Sequence, residues 1–198
     1  MRYGMYVRTN MAALPRIYIA AEDGCIVEVS SGEAGEGDIL FSPEDTEADN
    51  ARLNGVEADV VGTVNVSGEP DEESAAHFPL LMQAAGELEE YFAGQRQEFT
   101  VAVHAKGTEF QQKVWEALRQ IPYGETRSYG EIACQVGSPK GARAVGMACN
   151  KNPIMLFIPC HRVVGSDGKL VGFAGGLAMK EALLLMERSA VRVKMVII

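Results

Sequence analysis

SYGEIACQVGSPKGARAVGMACNK, residues 128–151, is the stretch that decides how the C-terminal half of this chain folds. Ser128 is a favourable N-cap because its side-chain oxygen can accept a backbone N–H, so it predicts a short helix that ends before the GSPKG turn at 137–141. A second short helix is predicted at 141–151. Two helices joined by a tight glycine-containing turn form a helix-turn-helix, a pattern that DNA-binding domains share with many helical hairpins that bind nothing. The stretch therefore predicts a helical half and leaves its function open.

Two longer helices and one apolar segment are predicted around this stretch. Residues 108–120 have the apolar spacing of an amphipathic helix, with Thr108 as its N-cap. Its apolar face comprises Phe110, Val114, Trp115 and Leu118. Residues 154–164, IMLFIPCHRVV, predict an extended buried segment, and residues 177–188 predict a closing helix. The tail at 191–198 alternates weakly between apolar and polar residues, which predicts an additional strand.

The N-terminal half combines strand patterns with one helix. Residues 15–30 predict a β-hairpin that turns at Asp23 and Gly24, and residues 77–92 predict a helix ended by Gly94. Two further strands are predicted, at residues 56–66 and 97–103. We therefore expect an α+β protein. Its predicted parts are an N-terminal α/β domain at 1–103 with a small antiparallel sheet and an acidic insertion at 31–75, a mostly helical C-terminal domain at 104–190, and a tail at 191–198.

The composition excludes disorder, and the charge is divided unevenly. Apolar residues make up 47% of the 198 residues, which is enough to build a core. The formal net charge of −9 argues by itself against a nucleic-acid partner. However, residues 1–100 hold 5 Lys and Arg against 20 Asp and Glu, a net charge of −15, whereas residues 101–198 hold 13 against 7, a net charge of +6. The basic half is therefore compatible with DNA.

The cysteine pattern and the N-terminus indicate the compartment. Of the four cysteines, none stands in a C-x-x-C pair, which argues against a zinc ribbon or a thioredoxin-like site. No signal peptide is apparent, because Arg2, Arg8 and Arg16 interrupt any apolar stretch at the start, and no apolar run is long enough to cross a membrane. We expect a cytoplasmic protein with no membrane association.

Cys160 is the candidate nucleophile. A thiol reacts as thiolate, and its pKa of about 8.5 when free means that a base or a positive neighbour must activate it. His161 and Arg162 provide both residue types next to it. In an extended backbone adjacent side chains point to opposite faces, so a bridging water is one route for the proton. By itself, a cysteine beside a histidine is also compatible with a buried structural thiol.

The sequence around Cys160 resembles the active-site region of the O6-alkylguanine-DNA alkyltransferases. The similar string is IPCHRVVGSDGKLVGFAGGLAMKEALLLME, residues 158–187, and its P-C-H-R-V core is highly specific to that family. The resemblance extends over YFAGQRQEF (91–99), EFQQKVWEALRQIPYGETRSYGEIA (109–133) and GSPKGARAVGMACNKNP (137–153). It covers roughly residues 88–188. It implies a ribonuclease H-like N-terminal domain and a winged-helix-like C-terminal domain.

The resemblance also implies a catalytic constellation. Cys160 would accept an alkyl group from O6 of guanine in a single, stoichiometric transfer, with O4-alkylthymine as a second candidate substrate. His161 would act as its base through water, and Glu187 would hold His161 in the correct tautomer. Asn152 would brace the active-site segment, and Tyr129 would help to rotate the nucleotide and protonate the leaving guanine.

The second short helix is implied to meet double-stranded DNA in the minor groove. Arg143 would fill the gap left by the flipped base, and the small residues around it suit close approach to a shallow surface. The other implied DNA contacts are Ala142, Ala144, Gly146, Ser128, Arg127 and Lys140. The implied alkylguanine pocket comprises Phe173, Ala174, Gly175, Gly176 and Pro159. Because O6 of guanine is out of reach while the base is stacked, the nucleotide must flip out of the duplex.

Two positions depart from the family pattern, and no cofactor is implied. Phe173 replaces a Tyr and Ala174 replaces a Ser that members carry, so two hydroxyl groups are absent from the predicted pocket. Gly175 and Gly176 predict room for bulky O6 groups. Some members bind zinc in the N-terminal domain, but Cys25, His77 and His104 do not match those positions. We therefore expect no metal, no cofactor and a monomer.

Three other interpretations compete with DNA repair. A non-catalytic, lesion-binding relative typically carries Trp at the nucleophile position, where this chain has Cys160. A helix-turn-helix regulator would use a polar, base-reading recognition helix, and residues 142–148 are too small and apolar for that role. A cysteine hydrolase would need an orienting Asn or Asp beside a second His, and would leave the helix-turn-helix unexplained.

Overall fold

The structure, a computed structural model, describes residues 3–11, 14–31, 39–40 and 72–196. Most of the acidic insertion, including the strand predicted at 56–66, lies outside these residues. Its Ile39–Leu40 pair is described, and it forms a short strand rather than a solvated loop.

A four-stranded sheet forms the N-terminal part. Its strands are β1 (Tyr3–Met11), β2 (Leu14–Glu22), β3 (Cys25–Ser30) and β4 (Ile39–Leu40), in the spatial order β3-β2-β1-β4. β1, β2 and β3 pair antiparallel, and β4 adds to β1 in parallel. The predicted hairpin is confirmed, with its turn at Asp23 and Gly24, whose φ angles are +51° and +71°. The strand β1 was not predicted.

The helix α1 (Glu72–Phe92) covers one face of this sheet. Ile17, Ile19 and Ala21 alternate along β2 and pack in one apolar cluster with Leu81 and Leu88 of α1. The helix begins five residues earlier than the predicted start at 77 and ends at the predicted place. The apolar cluster continues into the C-terminal half, and the division into domains at residue 103 stays a prediction.

The strand predicted at residues 97–103 is wrong, apart from one bridge. Val103 pairs with Ile26 of β3, but the backbone before it is held by a side chain. The buried Glu87 carboxylate of α1 accepts the N–H of Thr100 (2.8 Å) and the N–H of Val101 (3.3 Å). These donors are therefore satisfied without a neighbouring strand.

The C-terminal helices follow the predicted order. They are α2 (Glu109–Arg119), α3 (Tyr129–Gln135), α4 (Ala142–Asn150) and α5 (Leu177–Val196). Thr108 and Ser128 cap α2 and α3, and each forms a capping box with the residue three positions on, Gln111 and Glu131. Gly137, with φ +75°, ends α3 before the turn to α4. A two-stranded parallel sheet joins β5 (Arg127–Ser128) to β6 (Val163–Val164).

The strand predicted for the tail is wrong, because α5 continues to Val196. No glycine or proline interrupts the chain after Arg188, and the helical spacing from Glu187 brings Ala190 and Val191 against the turns at Gly94 and Gly124. The tail is therefore helical, because packing of one helix face stabilises it more than its weak strand-like alternation of apolar and polar residues favours a strand.

The outer edge of β3 positions the segment that carries Cys160. The N–H of Val29 donates to the carbonyl of Pro153 (2.9 Å), and the N–H of Met155 donates to the carbonyl of Val29 (3.0 Å). These bonds attach the chain after α4 to the N-terminal sheet. None of the helices in the described ranges has both the length and the apolar composition that a bilayer span requires.

Candidate active site

Cys160 opens a 3₁₀ turn, Cys160–Arg162, at the end of the apolar segment. The extended conformation predicted for 154–164 is confirmed at Val163–Val164, which form β6, and is wrong between Leu156 and Arg162. Leu156 has φ +73°, and the N–H of Ile158 donates back to the carbonyl of Ile154 (3.0 Å), so the chain folds on itself instead of running straight. The Cys160 side chain is buried with 6% exposed. In this turn the side chains of Cys160 and His161 are therefore not held on opposite faces, as they would be in an extended strand.

Asn152 ties this turn to the end of α4. Its Nδ2 donates to the carbonyl of Ile158 (2.8 Å) and to Sγ of Cys160 (3.3 Å), and its Oδ1 accepts the N–H of Ile154 (3.1 Å). One side chain thus holds both sides of the folded segment and also contacts the sulfur. The bracing role expected for Asn152 agrees with these contacts.

His161 and Glu187 form a buried pair. Nε2 of His161 lies 2.9 Å from Oε1 of Glu187, and both side chains are fully buried. Because a carboxylate only accepts hydrogen bonds, Nε2 carries the proton in this contact. Nδ1 of His161 is buried and has no hydrogen-bond partner within the described part of the chain. In the neutral imidazole, Nδ1 is therefore an acceptor.

Further donors hold the Glu187 carboxylate in place. Arg162 donates to both of its oxygens through Nε, at 3.2 and 3.1 Å, and through Nη2 at 2.9 Å. The Tyr91 hydroxyl donates at 2.6 Å, and the N–H of Gly124 donates at 2.9 Å. Arg162 also donates to the carbonyl of Ile121 (2.7 Å). The Arg162 guanidinium therefore hydrogen-bonds to the Glu187 carboxylate rather than to the neighbouring Cys160 thiol.

The environment of the pair sets its charges. Burial lowers the pKa of His161 below 6.5, although the hydrogen bond that Nε2 donates to Glu187 opposes this shift. Burial would raise the pKa of Glu187, but the hydrogen bonds from His161 and Arg162, together with the Arg162 charge, outweigh it and lower that pKa to about 2. At neutral pH the pair is therefore a neutral imidazole held by a carboxylate.

Lys180 is the cation near Cys160. It lies seven residues before Glu187 on α5, so both project from the same face of that helix. Its side chain is fully buried, and Nζ donates to the carbonyls of Val171 (3.0 Å) and Gly172 (3.3 Å). Burial raises the pKa of the Cys160 thiol, while the Asn152 hydrogen bond and the Lys180 charge lower it. The thiol is protonated at rest, and Lys180 favours its thiolate.

Tyr129 lies at the start of α3 beside the same groups. Its hydroxyl donates to the carbonyl of Val171 (2.9 Å), and Nζ of Lys180 is 5.7 Å from its ring centroid. Burial raises the pKa of Tyr129 to about 12, so the phenol keeps its proton and can donate it. Gly146 of α4 faces the ring, because a Cβ there would lie 3.7 Å from Tyr129 Cε1.

A cavity of about 660 Å³ opens onto Cys160. Of the residues predicted to form the pocket, Phe173 and Ala174 line it. Gly175, Gly176 and Pro159 do not line it. A Cβ at Gly175 would meet Met179 and Phe173, so the space beside that glycine is already filled. Pro159 lines a second cavity, of about 550 Å³.

The predicted DNA contacts divide between α4 and the start of α3. Ala142, Arg143 and Gly146 line the mouth of the Cys160 cavity. Ala144 and Lys140 are exposed nearby in the sequence. Arg127 forms an ion pair with Glu125 at 2.9 Å, and the Ser128 hydroxyl is used in the capping box of α3. The assignment of all these residues to DNA stays a prediction.

Comparison with known proteins places the chain in a family. Residues 109–189 match the family described as 6-O-methylguanine DNA methyltransferase, DNA binding domain. The methylated-DNA–protein-cysteine methyltransferase of Methanosarcina acetivorans is 57% identical over 110 residues, which cover 56% of this chain and 70% of that protein. The chain belongs to the methylated-DNA–protein-cysteine methyltransferase family. The resemblance stated from the sequence is confirmed.

Solved structures of this family extend the likeness to the N-terminal half. The crystal structure of Mycobacterium tuberculosis O6-methylguanine methyltransferase is 35% identical with a TM-score of 0.68, and the match covers 96% of this chain and 94% of that one. The structure of Mycobacterium tuberculosis OGT in complex with DNA is 36% identical with a TM-score of 0.68, and covers 93% of each chain. The mixed α/β fold with a small antiparallel sheet and several helices is thus confirmed.

Three site residues of this methyltransferase-family chain were missed or misassigned from the sequence. Tyr91 and Lys180 were not predicted, and Arg162 was predicted as a neighbour that activates the thiol. Tyr91 and Lys180 both lie within strings that carry the family resemblance, which was the available signal. Within the described ranges, no cluster of three or more His, Cys, Asp or Glu is arranged to hold a metal ion. The expected absence of metal and cofactor stays a prediction.

Proposed function

We propose that this chain repairs alkylated DNA directly, by moving an alkyl group from O6 of guanine to Sγ of Cys160. The observation that carries the proposal is the placement of Cys160 on a cavity beside the buried His161–Glu187 pair. Family membership supports the reaction, because the relatives are named for transfer from methylated DNA to a protein cysteine. The same name disfavours the alternative of lesion binding without transfer.

The transfer is a single displacement at the alkyl carbon. The bond from Cys160 Sγ to that carbon forms while the bond from the carbon to O6 breaks, and the electron pair of the broken bond passes to the guanine. The Tyr129 phenol, which retains its proton at neutral pH, supplies a proton to the leaving base. The thioether on Cys160 is not regenerated, so each molecule reacts once.

The thiol proton leaves through His161. Because the Glu187 contact fixes the proton on Nε2, Nδ1 is the free acceptor, and a water molecule connects it to Cys160. The ion pair of Glu187 with Arg162 keeps the carboxylate charged, and this charge stabilises the imidazolium that forms. Lys180 stabilises the thiolate during the transfer.

The DNA partner is a duplex whose minor groove receives α4. The M. tuberculosis relative was solved in complex with DNA, which supports a DNA partner here. Ala142, Ala144 and Gly146 allow close approach, and Arg143 fills the place of the flipped alkylguanine. Ser128, Arg127 and Lys140 contact the adjoining backbone.

The pocket is apolar and tolerant of bulky O6 groups. Phe173 and Ala174 line the cavity without a side-chain hydroxyl, so the base is held by shape and by backbone groups. The space for larger groups comes from the cavity itself rather than from Gly175. Failure of free O6-benzylguanine to react at high concentration would count against this tolerance.

The proposal also covers the fold type of each part, the oligomeric state and the compartment. The N-terminal part is ribonuclease H-like, and α3 and α4 form the helix-turn-helix of a winged-helix-like domain. The protein acts as a monomer in the cytoplasm. A reducing compartment agrees with its four free thiols at Cys25, Cys134, Cys149 and Cys160.

A stoichiometric titration tests the transfer. Duplex DNA carrying a radiolabelled O6-methylguanine is added in excess, and the label on protein is counted over time. We expect the label to stop at one methyl group per chain. Continued turnover, or DNA binding without any label on protein, would contradict the proposal.

A further inference from the structure

The exposed face of α4 and its C-cap residue place an apolar side chain between two cations. Arg143, Met147 and Lys151 follow one another at intervals of four residues, so they lie along one face of the helix end. All three are exposed, and all three line the mouth of the Cys160 cavity. The implied DNA contacts from the family resemblance include Arg143, but they give no role to Met147.

Met147 is the most exposed of the large apolar side chains in the described part of the chain, with 71% exposed. The others are Val171, Leu177 and Leu185. Met147 and Val171 line the same cavity. A single exposed apolar residue needs no explanation, but two at the mouth of a reactive cavity mark a surface that another molecule covers.

The charges beside Met147 identify the partner. Neither Arg143 nor Lys151 forms an ion pair with any residue in the described ranges, so both cations are available to an anionic partner. A DNA duplex presents phosphates at regular intervals with apolar sugar and base surfaces between them. A helix face with the order cation, apolar residue, cation is complementary to that arrangement.

We propose that Met147 packs against the deoxyribose and base of the nucleotide next to the flipped alkylguanine. This inference rests on the proposed function. Arg143 fills the vacated position in the stack, and Met147, one turn further along α4, supports the neighbouring nucleotide from the groove. Apolar side chains inserted at a base step hold unstacked DNA in other minor-groove proteins. Met147 thereby favours the extrahelical state of the lesion.

The test compares four substitutions in the full chain carrying Cys160→Ala, which prevents transfer. They are Met147→Ala, Met147→Gln, Met147→Leu and, as control, Leu185→Ala, which removes another exposed apolar side chain that does not line the cavity. Affinity for an O6-methylguanine duplex is measured by fluorescence anisotropy at several salt concentrations. We expect Met147→Ala and Met147→Gln to weaken DNA binding by about five- to tenfold, because each variant loses part of the apolar contact with the nucleotide. Leu and the control variant retain the parent affinity.

The salt dependence separates this contact from the charges. Met147→Ala lowers affinity by the same factor at every salt concentration, whereas Lys151→Ala also reduces the salt slope by about one. If Met147→Ala or Met147→Gln binds the duplex as tightly as the parent, the role proposed for Met147 is wrong, while the proposed function is unaffected. Absence of duplex binding by the parent would instead overturn the proposed function.

Discussion

Nε2 of His161 and Oε1 of Glu187 are 2.9 Å apart in a fully buried contact, although 26 residues separate them in the chain. This contact determines the protonation of the imidazole, because a charged carboxylate accepts the Nε2 proton and leaves Nδ1 as the base. The neighbouring Arg162 offsets the cost of burying the carboxylate. The predictions below depend on this arrangement and on the cation and thiol beside it.

The first prediction concerns the carboxylate itself. Replacing Glu187 by Gln leaves the buried Arg162 charge without its partner and removes the charge that holds His161. We expect the free energy of unfolding to fall by about 3–5 kcal/mol and transfer to slow by at least about 100-fold. Chemical denaturation and single-turnover kinetics measure the two effects.

Glu181→Gln is the matched control, because Glu181 is an exposed carboxylate on the same helix. We expect its stability to stay within about 0.5 kcal/mol of the parent. Equal behaviour of the two variants would show that the buried carboxylate has no special role.

The second prediction is acid destabilisation in two steps. The pKa of His161 is lowered from 6.5 in the folded chain, so the unfolded chain takes up a proton first and stability falls as the pH drops below 6.5. The pKa of Glu187 is about 2 against 4.5 unfolded, so a further loss, on the order of 3 kcal/mol, follows between these values. Urea denaturation from pH 8 to pH 2 measures it. Stability that stayed constant over that range would exclude the assigned protonation states.

The third prediction assigns Lys180 a positioning role for the thiolate. Lys180→Met keeps the volume and removes the charge, so the pKa of Cys160 rises. We expect alkylation by iodoacetamide to slow by about tenfold at neutral pH, the effect of one pKa unit, with its pH profile displaced toward alkaline values.

Lys169→Met serves as the control, because Lys169 is exposed and pairs with Asp167 at 2.7 Å. Its pH profile stays that of the parent. A Lys180→Met variant that folds and keeps the parent profile would remove Lys180 from the mechanism.

The fourth prediction concerns the support of α4. The indole Nε1 of Trp115 on α2 donates to the carbonyl of Ala148 (2.9 Å). A Cβ at Gly107 would lie 2.6 Å from the Trp115 ring. Gly107→Ala therefore forces the ring to move, and we expect a loss of about 1–3 kcal/mol and weaker DNA binding.

Gly86→Ala, where a Cβ meets no atom within 4 Å, is the comparison. Because Gly86 lies inside α1, we expect a gain in stability of up to about 1 kcal/mol. Thermal denaturation of both variants checks the signs. A Gly107→Ala variant as stable as the parent would show that the Trp115 ring has room to shift.

Local patterns were sufficient for the order of the C-terminal helices and for two of their N-caps. Thr108 and Ser128 were predicted as N-caps and form capping boxes, because a cap depends on residues three positions apart. The helix-turn-helix stretch and the hairpin at Asp23–Gly24 depend on similarly short spacings. Cys160, His161, Asn152 and Glu187 were predicted through the family resemblance, and the structure brings all four together.

The errors arose where distant residues override a local preference. The backbone at 97–103 is held by a carboxylate on α1, and the tail stays helical because it packs on turns far away in sequence. Tyr91 reaches Glu187 across 96 residues, and no local pattern indicates such a contact. Arg162 was predicted to activate the neighbouring thiol, but its guanidinium donates to Glu187 instead.

The central claim is tested most directly by locating the transferred group. The protein is incubated with duplex DNA that carries O6-methylguanine, digested, and mapped by mass spectrometry. We expect one peptide to gain the mass of a methyl group, with the modification on Cys160, and we expect unmodified guanine in the DNA. No transfer should occur with Cys160→Ala. A methyl group on another residue, or DNA that keeps its methyl group although the protein binds it, would contradict the account.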